Sequence, residues 1–187
     1  MTLEEEKELI GRAKKEPEAF GLLYDQYYPA VFGYVLKRVA NIDSAKDIVS
    51  ETFFKALKNI WRFKWKNIPF SFWLFRLASN EIVNFFRKNK KAVSLDLIIE
   101  PTAKGDLLNE IIQAQEELER HRDFLAIQKN ISQLPDKYQE VIALRFFEEK
   151  SLKEIGQILG KKEGTVKSLL YRGLDALRKQ FPPLNKE

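Results

Sequence analysis

Small, cationic and hydrogen-bonding side chains recur at helical spacing in segment 152–171, which reads LKEIGQILGKKEGTVKSLLY. Gly156 and Gly160 are spaced for two helices that cross closely and meet at a tight turn, the helix-turn-helix pattern. Val166 and Leu170 begin the buried stripe of the second helix. The turn and the opposite face hold groups that can contact phosphates and base edges. These candidates are Lys161, Lys162, Glu163, Gly164, Thr165, Lys167, Ser168, Tyr171, Arg172 and Arg178. A plain helical hairpin with a solvated charged face is the alternative.

Segment 69–91, PFSFWLFRLASNEIVNFFRKNKK, predicts a second helix with a cationic stripe. Its core face would hold Phe75, Ala78, Ile82, Phe85 and Phe86. On the other face, Asn can hydrogen-bond a base, Trp can stack on one and cations can bind phosphates. That face carries Trp73, Arg76, Leu77, Asn80, Asn84, Arg87, Lys88 and Lys91.

Aromatic and basic residues alternate just before this helix, at Trp61, Arg62, Phe63, Lys64, Trp65 and Lys66. The alternation is compatible with a strand that has rings on one face and cations on the other. It is equally compatible with a loop whose rings stack on unpaired bases. The sequence favours neither DNA contact nor structural packing as the role of these rings, and some of them are expected in the core.

The segment 43–58 predicts a helix that contacts another protein. Its core stripe would include Ala45, Ile48 and Val49, whereas Phe54 lies about half a turn away, among Asp47 and Glu51. An exposed Phe in an acidic patch suggests a protein partner, because the same charges repel DNA. The alternatives are a solvated face, or a metal site on Asp43, Asp47 and Glu51 that lacks further ligands.

The elements that position these residues all have helical periodicity, and no segment predicts a convincing strand. Pro29 is expected to separate two helices, and Asp43 and Ser44 are expected to cap the third. In the second half, Pro135 opens a helix, Ser151 caps another and Gly160 ends it. The predicted helices cover 17–28, 29–40, 43–58, 69–90, 121–132, 135–149, 151–159 and 163–181.

Composition excludes several kinds of chemical site and argues against a membrane protein. The 187 residues include no cysteine, which excludes disulfides, thiol nucleophiles and Cys-based zinc sites, and His121 is the single histidine. No cofactor is expected. The start of the chain is acidic rather than signal-like, and no apolar run approaches the roughly 18 residues that span a bilayer. No membrane insertion and a cytoplasmic location are therefore expected.

Charge divides the chain into blocks. Residues 1–91 carry a net +6, residues 92–125 a net −5 and residues 126–187 a net +4. Basic blocks suit a polyanion such as DNA, although the overall +5 alone is also ordinary for a soluble surface. Pro101 and Gly105 lie in an unpatterned stretch that reads as a linker. The expected division is 1–91, a linker at 92–120 and 121–187.

These segments together resemble the sigma-70 family of RNA polymerase sigma factors. DSAKDIVSETFFKAL resembles the segment that binds core polymerase, and FWLFRLASNEIVNFFRKNKK resembles the segment that recognises and melts the minus-ten element. The sequence ISQLPDKYQEVIALRFFEEKSLKEIGQILGKKEGTVKSLLYRGLDAL resembles the module that binds the minus-thirty-five element. The short chain resembles the extracytoplasmic-function (ECF) group, which lacks the large intermediate domain.

The resemblance implies an all-α fold, with a region 2 helical bundle and a region 4 helix-turn-helix joined by a flexible acidic linker. It implies no catalysis by the chain itself, and it implies core RNA polymerase and promoter DNA as partners. Members of the group often also have an anti-sigma factor. Asp47, Ile48, Glu51 and Phe54 would bind polymerase. Asn80, Arg87 and the loop 61–66 would hold the opened minus-ten element, with Trp73, Arg76, Asn84 and Lys88 beside them.

The sequence departs from the family pattern at a few positions. Leu169, Leu174 and Gln139 stand where the family often has Arg, and Asn84 stands where it often has Asp. These departures bear on which promoter is recognised. Two other classes of protein stay open: a dimeric helix-turn-helix regulator, for which the Phe54 face has no role, and a recombinase-type enzyme, for which no nucleophile or carboxylate cluster is evident.

Overall fold

The computed structural model describes residues 1–89 and 122–180, and it describes side chains at 1–88 and 127–180. The helices of the first unit are α1 Leu3–Ala13, α2 Pro17–Val39, α3 Ile42–Asn59 and α4 Phe70–Asn89, with a 3-10 turn at Ile60–Arg62. Those of the second unit are α5 Arg122–Ser132, α6 Asp136–Phe146, α7 Leu152–Leu159 and α8 Glu163–Gln180. The described residues contain no strand, so the expected all-α class is confirmed.

The chain forms two compact units, Met1–Ile99 and Glu100–Glu187. The predicted linker at 92–120 and His121 lie outside the described residues. Within the ranges that are described, no helix is both long and apolar enough to cross a membrane.

The core of the first unit forms where α2, α3 and α4 pack against one another. Tyr34, Val49, Phe70, Leu74 and Ile82 are fully buried there. A polar contact runs through this core, because the Tyr34 hydroxyl lies 2.8 Å from the Ser79 hydroxyl and both side chains are buried. These contacts determine which face of α4 is left in solvent.

Pro29 does not end a helix, which corrects the predicted break between residues 28 and 29. Helix α2 runs unbroken from Pro17 to Val39 with Pro29 inside it. A proline inside a helix costs roughly 3 kcal/mol, because it removes one backbone hydrogen bond and crowds the preceding turn. Here the buried rings of Tyr28 and Phe32 flank it, 5.7 Å apart, and Tyr28 also stacks on Phe53 of α3. Pro29 itself is exposed, and the packing of the neighbouring rings on the inner face of α2 offsets the local cost.

Helix α1 was not predicted from the sequence, although its start carries a recognisable signal. The Thr2 hydroxyl accepts from the Glu5 amide at 3.2 Å, and the Glu5 carboxylate accepts from the Thr2 amide at 2.7 Å. This reciprocal pair is a capping box. Helix α3 likewise begins earlier than predicted: Asn41, rather than Asp43 or Ser44, caps it by accepting from the Ser44 amide at 2.8 Å.

The second unit is built on a small core of Ile131, Leu134 and Ile142, with α8 packed over it. Its helices match the predicted ones closely, except that α6 ends at Phe146, three residues earlier than 149. Pro135 stands just before α6, as predicted. Gln139, which stands where the family often has Arg, is buried and donates from Nε2 to the carbonyls of Ser132 and Leu134, at 3.0 and 2.7 Å. It thus holds the connection between α5 and α6.

We expect Gln139→Leu to lower the free energy of unfolding of the second unit by about 1–3 kcal/mol, because two carbonyls would lose their buried donor. Urea denaturation followed by circular dichroism measures this change. Gln133→Leu is the matched control, since Gln133 is exposed in the same connection. Tryptophan emission provides an internal reference, because Trp61, Trp65 and Trp73 all belong to the first unit. An equal loss in both variants would contradict the proposed role of Gln139.

Candidate nucleic-acid and protein interfaces

Helix α7 begins at a capping box formed by Ser151 and Glu154. The Ser151 hydroxyl accepts from the Glu154 amide at 3.3 Å, and the Glu154 carboxylate accepts from the Ser151 amide at 2.8 Å and from its hydroxyl at 2.7 Å. The hydrogen bond from the Ser151 hydroxyl is the largest cause that lowers the pKa of Glu154, and the hydrogen bond from the Ser151 amide is the next largest. The predicted cap is therefore confirmed, and it fixes where the first helix of the motif starts.

The turn between α7 and α8 depends on two glycines. Gly160 ends α7 with φ at 64°, in the left-handed region that favours glycine. A Cβ added to Gly156 would lie 2.7 Å from the Lys161 carbonyl oxygen, which belongs to the backbone. The predicted close approach at Gly156 is confirmed, but the group that approaches is the carbonyl of the turn rather than the second helix.

Helix α8 packs its Val166 side onto the unit and leaves the opposite side in solvent. Val166 and Gly173 are buried, and a Cβ on Gly173 would lie 3.0 Å from Ile142 Cδ1. All the candidates predicted on the turn and on this helix, from Lys161 to Arg178, are exposed, and Tyr171 is 64% exposed. The geometry is therefore that of a cationic helix whose N-terminus and outer face are open to a ligand.

Helix α4 presents its polar stripe as predicted. Arg76, Asn80, Arg87 and Lys88 are exposed, and Arg87 Nη2 donates to the half-buried Asn84 Oδ1 at 3.1 Å. Trp73 differs from the expectation of an open stacking ring. It is half-buried and packs on Phe63 and Phe70, with ring centroids 5.0 and 5.3 Å away.

The segment 61–66 is a loop, so the alternative of a strand is wrong. A 3-10 turn, Ile60–Arg62, starts it, and residues 63–66 have no regular structure. Its rings divide between two environments. Phe63 packs on Phe70, with centroids 5.2 Å apart, whereas Trp61 is 64% exposed beneath the Arg62 guanidinium at 4.8 Å. The exposed members of the loop are Trp61, Arg62, Lys64 and Lys66, with Trp65 half-buried.

Two side chains from the start of the chain, Glu6 in α1 and Lys14 just after it, contact this loop and the first residue of α4, and sequence reasoning missed both. Lys14 Nζ donates to the Phe63 carbonyl at 2.7 Å, and Glu6 Oε1 accepts from the Phe70 amide at 3.0 Å. Glu6 also accepts from the Tyr27 hydroxyl, and Glu6 is buried. Glu6 lies on the buried stripe of α1 with Ile10 and Ala13. A carboxylate within an apolar stripe is the signal that could have identified it.

Helix α3 has an exposed face that combines acid and apolar side chains. Asp47 and Glu51 are exposed, Phe54 is 58% exposed and Leu57 is 44% exposed. Ile48 is only 5% exposed and lies in the core stripe behind this face, as its helical position predicts. Its i, i+4 spacing from Thr52, which is also buried, places it on the inner stripe.

Lys55 forms ion pairs at one edge of the exposed α3 face. Its ammonium lies 2.7 Å from Glu81 on α4 and 3.1 Å from Glu51 on its own helix. The hydrogen bond to Glu81 is the largest cause that raises the pKa of Lys55. Glu51 is thus paired with Lys55, and Lys58 is also exposed on this helix, so two cations balance the charges of Asp47 and Glu51. Among the described side chains, no three His, Cys, Asp or Glu residues come together to hold a metal ion.

Comparison with known proteins identifies the family. Two family models match the chain, Sigma-70 region 2 over residues 23–92 and Sigma-70 region 4 over residues 131–179. The chain is 36% identical over 186 residues to the ECF RNA polymerase sigma factor SigW of Bacillus subtilis (strain 168), covering 95% of this chain and 97% of that protein. This chain belongs to the ECF sigma factors of the sigma-70 family. As a sigma factor, it directs promoter-specific transcription initiation.

Further relatives agree with this assignment. The ECF RNA polymerase sigma factor BldN of Streptomyces coelicolor is 33% identical over 180 residues, covering 94% of this chain and 65% of that protein. The solved structure of CnrH in complex with the cytosolic domain of CnrY has a TM-score of 0.65 at 21% identity, covering 94% and 96% of the two chains. The structure of the sigma factor RpoE in complex with the anti-sigma factor NepR from Bartonella quintana has a TM-score of 0.59 at 22% identity, covering 86% of this chain and 94% of that chain. At these identities the two structures show a shared fold.

The family match also decides between the classes that the sequence left open. Sigma factors are DNA-binding regulatory proteins that bind core RNA polymerase and promoter DNA, so the expectation of these partners is confirmed and a dimeric helix-turn-helix regulator is not favoured. The region 2 match contains the α3 face, the loop and α4, and the region 4 match contains the helix-turn-helix. Helix α1 lies before the region 2 match.

We expect Gly156→Ala to destabilise the second unit by about 1–3 kcal/mol, because the added methyl group would displace the Lys161 carbonyl and shift the turn. Urea denaturation followed by circular dichroism measures the change. Gly164→Ala is the matched control: it lies in the same motif, and nothing within 4 Å would meet its Cβ. We expect that variant to be neutral or slightly more stable. A neutral Gly156→Ala would show that the turn can move at no cost.

Proposed function

We propose that this sigma factor uses two faces of its first unit for two different partners. The observation that carries the proposal is the different chemistry of these faces. The α3 face exposes Phe54 and Leu57 among charges of both signs, whereas α4 and the loop expose Arg76, Arg87 and Lys64. A partly apolar face of mixed charge suits a protein surface, and a cationic face with amides suits nucleic acid.

Core polymerase is the proposed partner of the α3 face, through Asp47, Glu51 and Phe54. An exposed aromatic ring surrounded by charge has the character of an interface hot spot, since burial of the ring supplies affinity and the charges supply orientation. Leu57, 44% exposed one turn after Phe54, extends the same apolar line.

The opened minus-ten element is the proposed ligand of α4 and the loop. Arg76, Asn80 and Arg87 recur on one side of the helix, so they can follow a strand of DNA, with the cations on phosphates and Asn80 on a base edge. Trp61 offers an exposed face for an unpaired base. Extruding a base costs roughly a few kcal/mol, which such contacts would offset.

The minus-thirty-five element is the proposed ligand of the second unit. Helix α8 would enter the major groove with Ser168, Tyr171 and Arg172 toward base edges, and its N-terminus with Lys161 and Lys162 toward phosphates. Core polymerase would hold the two units at a fixed separation on the promoter, which makes the second DNA contact effectively intramolecular. Nucleotidyl transfer belongs to the polymerase.

The remaining parts of the proposal concern context. We place region 2 at 1–91, the linker at 92–120 and region 4 at 121–187. The chain would act in the bacterial cytoplasm, where core polymerase and DNA are found. An anti-sigma factor is a further proposed partner, as for the NepR-bound relative of the same fold.

Run-off transcription tests the first unit. Purified core polymerase with this chain should start at new, discrete sites on fragments of the source genome. Phe54→Ala should weaken co-purification with core polymerase at least about tenfold, as for an interface hot spot. Asn80→Ala should leave that binding intact and weaken the start sites, because only a DNA contact is lost. Leu22→Ala and Gln26→Ala are the matched controls, since both residues are exposed on α2. A chain that neither binds core polymerase nor starts transcription would exclude the proposal.

Salt dependence of promoter binding tests the second unit. We expect Arg172→Ala to weaken binding of the polymerase–sigma complex to the mapped promoter duplex and to reduce the slope of log affinity against log salt by about one, because one cationic contact is lost. Lys179→Ala is the control, since Lys179 already pairs with Asp175 at 2.8 Å. Identical slopes for Arg172→Ala and the unaltered chain would remove Arg172 from the DNA interface.

A further inference from the structure

Helix α1 and the residue that caps its C-terminus, Lys14, contact both ends of the segment that joins the 3-10 turn to α4. At the first end, Lys14 Nζ donates to the Phe63 carbonyl at 2.7 Å. At the second end, Glu6 Oε1 accepts from the amide of Phe70, the first residue of α4, at 3.0 Å. These contacts span 49 and 64 residues of sequence, so they are tertiary contacts rather than local turns.

The Glu6 contact is made in the interior of the unit. Glu6 is 3% exposed, and the oxygen that accepts from Phe70 also accepts from the Tyr27 hydroxyl of α2. The first amides of a helix have no partner within the helix, and a carboxylate placed there also interacts favourably with the helix dipole. One buried carboxylate therefore joins α1 and α2 to the start of the helix that carries Asn80 and Arg87.

An aromatic cluster fills the space between the two anchors. Phe63 and Phe70 lie 5.2 Å apart, and both lie close to Trp73. Tyr27 meets Phe70 from α2 at 5.9 Å. With Phe63 turned inward and its carbonyl held by Lys14, the neighbouring Arg62 and Lys64 are exposed. The anchors thus determine which side chains of the loop point into solvent.

We propose that Lys14 and Glu6 are positioning residues for promoter opening, which hold the 61–66 loop in the conformation that captures the opened strand. This rests on the proposed role of the loop in binding the minus-ten element. A loop already ordered in the free protein loses less conformational entropy when it binds unpaired bases. Lys14 and Glu6 touch no DNA in this scheme, and they act through Phe63 and Phe70.

Tryptophan fluorescence measures the loop directly. All three tryptophans of the chain, Trp61, Trp65 and Trp73, lie in the loop or against it. We expect Lys14→Met to increase quenching of their emission by acrylamide, because the released loop exposes the rings. Lys14→Arg retains a cationic donor and should restore the quenching of the unaltered chain. Lys15→Met is the matched control, since it removes the same charge from the adjacent exposed position.

Promoter opening measures the consequence. With core polymerase and the promoter fragment mapped by run-off transcription, Lys14→Met should slow formation of the open complex by about fivefold, the size expected from one net hydrogen bond. Affinity for core polymerase should not change, because Lys14 and the α3 face are separate. Lys14→Arg should recover most of the rate, and Lys15→Met should match the unaltered chain. A purely structural role of Lys14 would instead lower core affinity and opening together.

The outcomes separate this proposal from the function on which it rests. Unchanged quenching in Lys14→Met, or changed quenching with an unchanged opening rate, overturns the positioning role while the unaltered chain still initiates. If the unaltered chain initiates nowhere, the proposed function fails and the positioning role fails with it. Glu6→Gln keeps an acceptor for the Phe70 amide but removes the charge that favours the start of α4, so it should retain most of the opening rate. Opening as slow in Glu6→Gln as in Lys14→Met contradicts the assignment of Glu6.

Discussion

Burial of one face of α4 against α2 and α3 is the constraint on which the surfaces of the first unit depend. The Tyr34 hydroxyl meets Ser79, and the Tyr34 ring packs edge-on against Phe75 at 5.3 Å. Because a helix turns about 100° per residue, fixing Phe75, Ser79 and Ile82 inward leaves Arg76, Asn80 and Arg87 outward. The buried hydrogen bond adds specificity to this choice, since rotating α4 would leave a buried hydroxyl without its partner.

In the second unit the corresponding constraint is a backbone contact. The Lys161 carbonyl approaches Gly156 so closely that no side chain fits there, and Gly160 supplies the left-handed residue that reverses the chain. The orientation of α8 then depends on Val166 and Gly173, which face the core around Ile142. A small core suffices to orient α8 because Gly156 leaves room for the turn carbonyl and Gly160 adopts the left-handed conformation that the turn requires.

The sequence predicts what is local and periodic. Helix periodicity, the Ser151 cap and the Gly160 turn depend on residues within four positions of each other, and all appear in the structure. The features that the sequence did not predict depend on contacts between residues that are far apart in the chain. Pro29 stays helical because its neighbours Tyr28 and Phe32 are buried and Tyr28 stacks on Phe53 of α3. The alternating segment, for which the sequence left strand and loop open, is a loop in which Phe63 packs on Phe70. The contacts of Glu6 and Lys14 depend on partners far along the chain, which no local pattern specifies.

The first unit presents two chemically different surfaces, one on α3 and one on α4, and this difference links its fold to its proposed function. Lys55 bridges Glu51 on α3 and Glu81 on α4, so it lies between the α3 face and the cationic face of α4. Exposed charges attract or repel over about 8 Å in physiological salt, a distance comparable to the spacing of packed helices. In the proposed function, the exposed Phe54 and Leu57 of α3 would be covered by a protein partner, and the cations of α4 would stay open to DNA. The ion pairs of Lys55 keep the carboxylates of Glu51 and Glu81 from opposing that DNA contact.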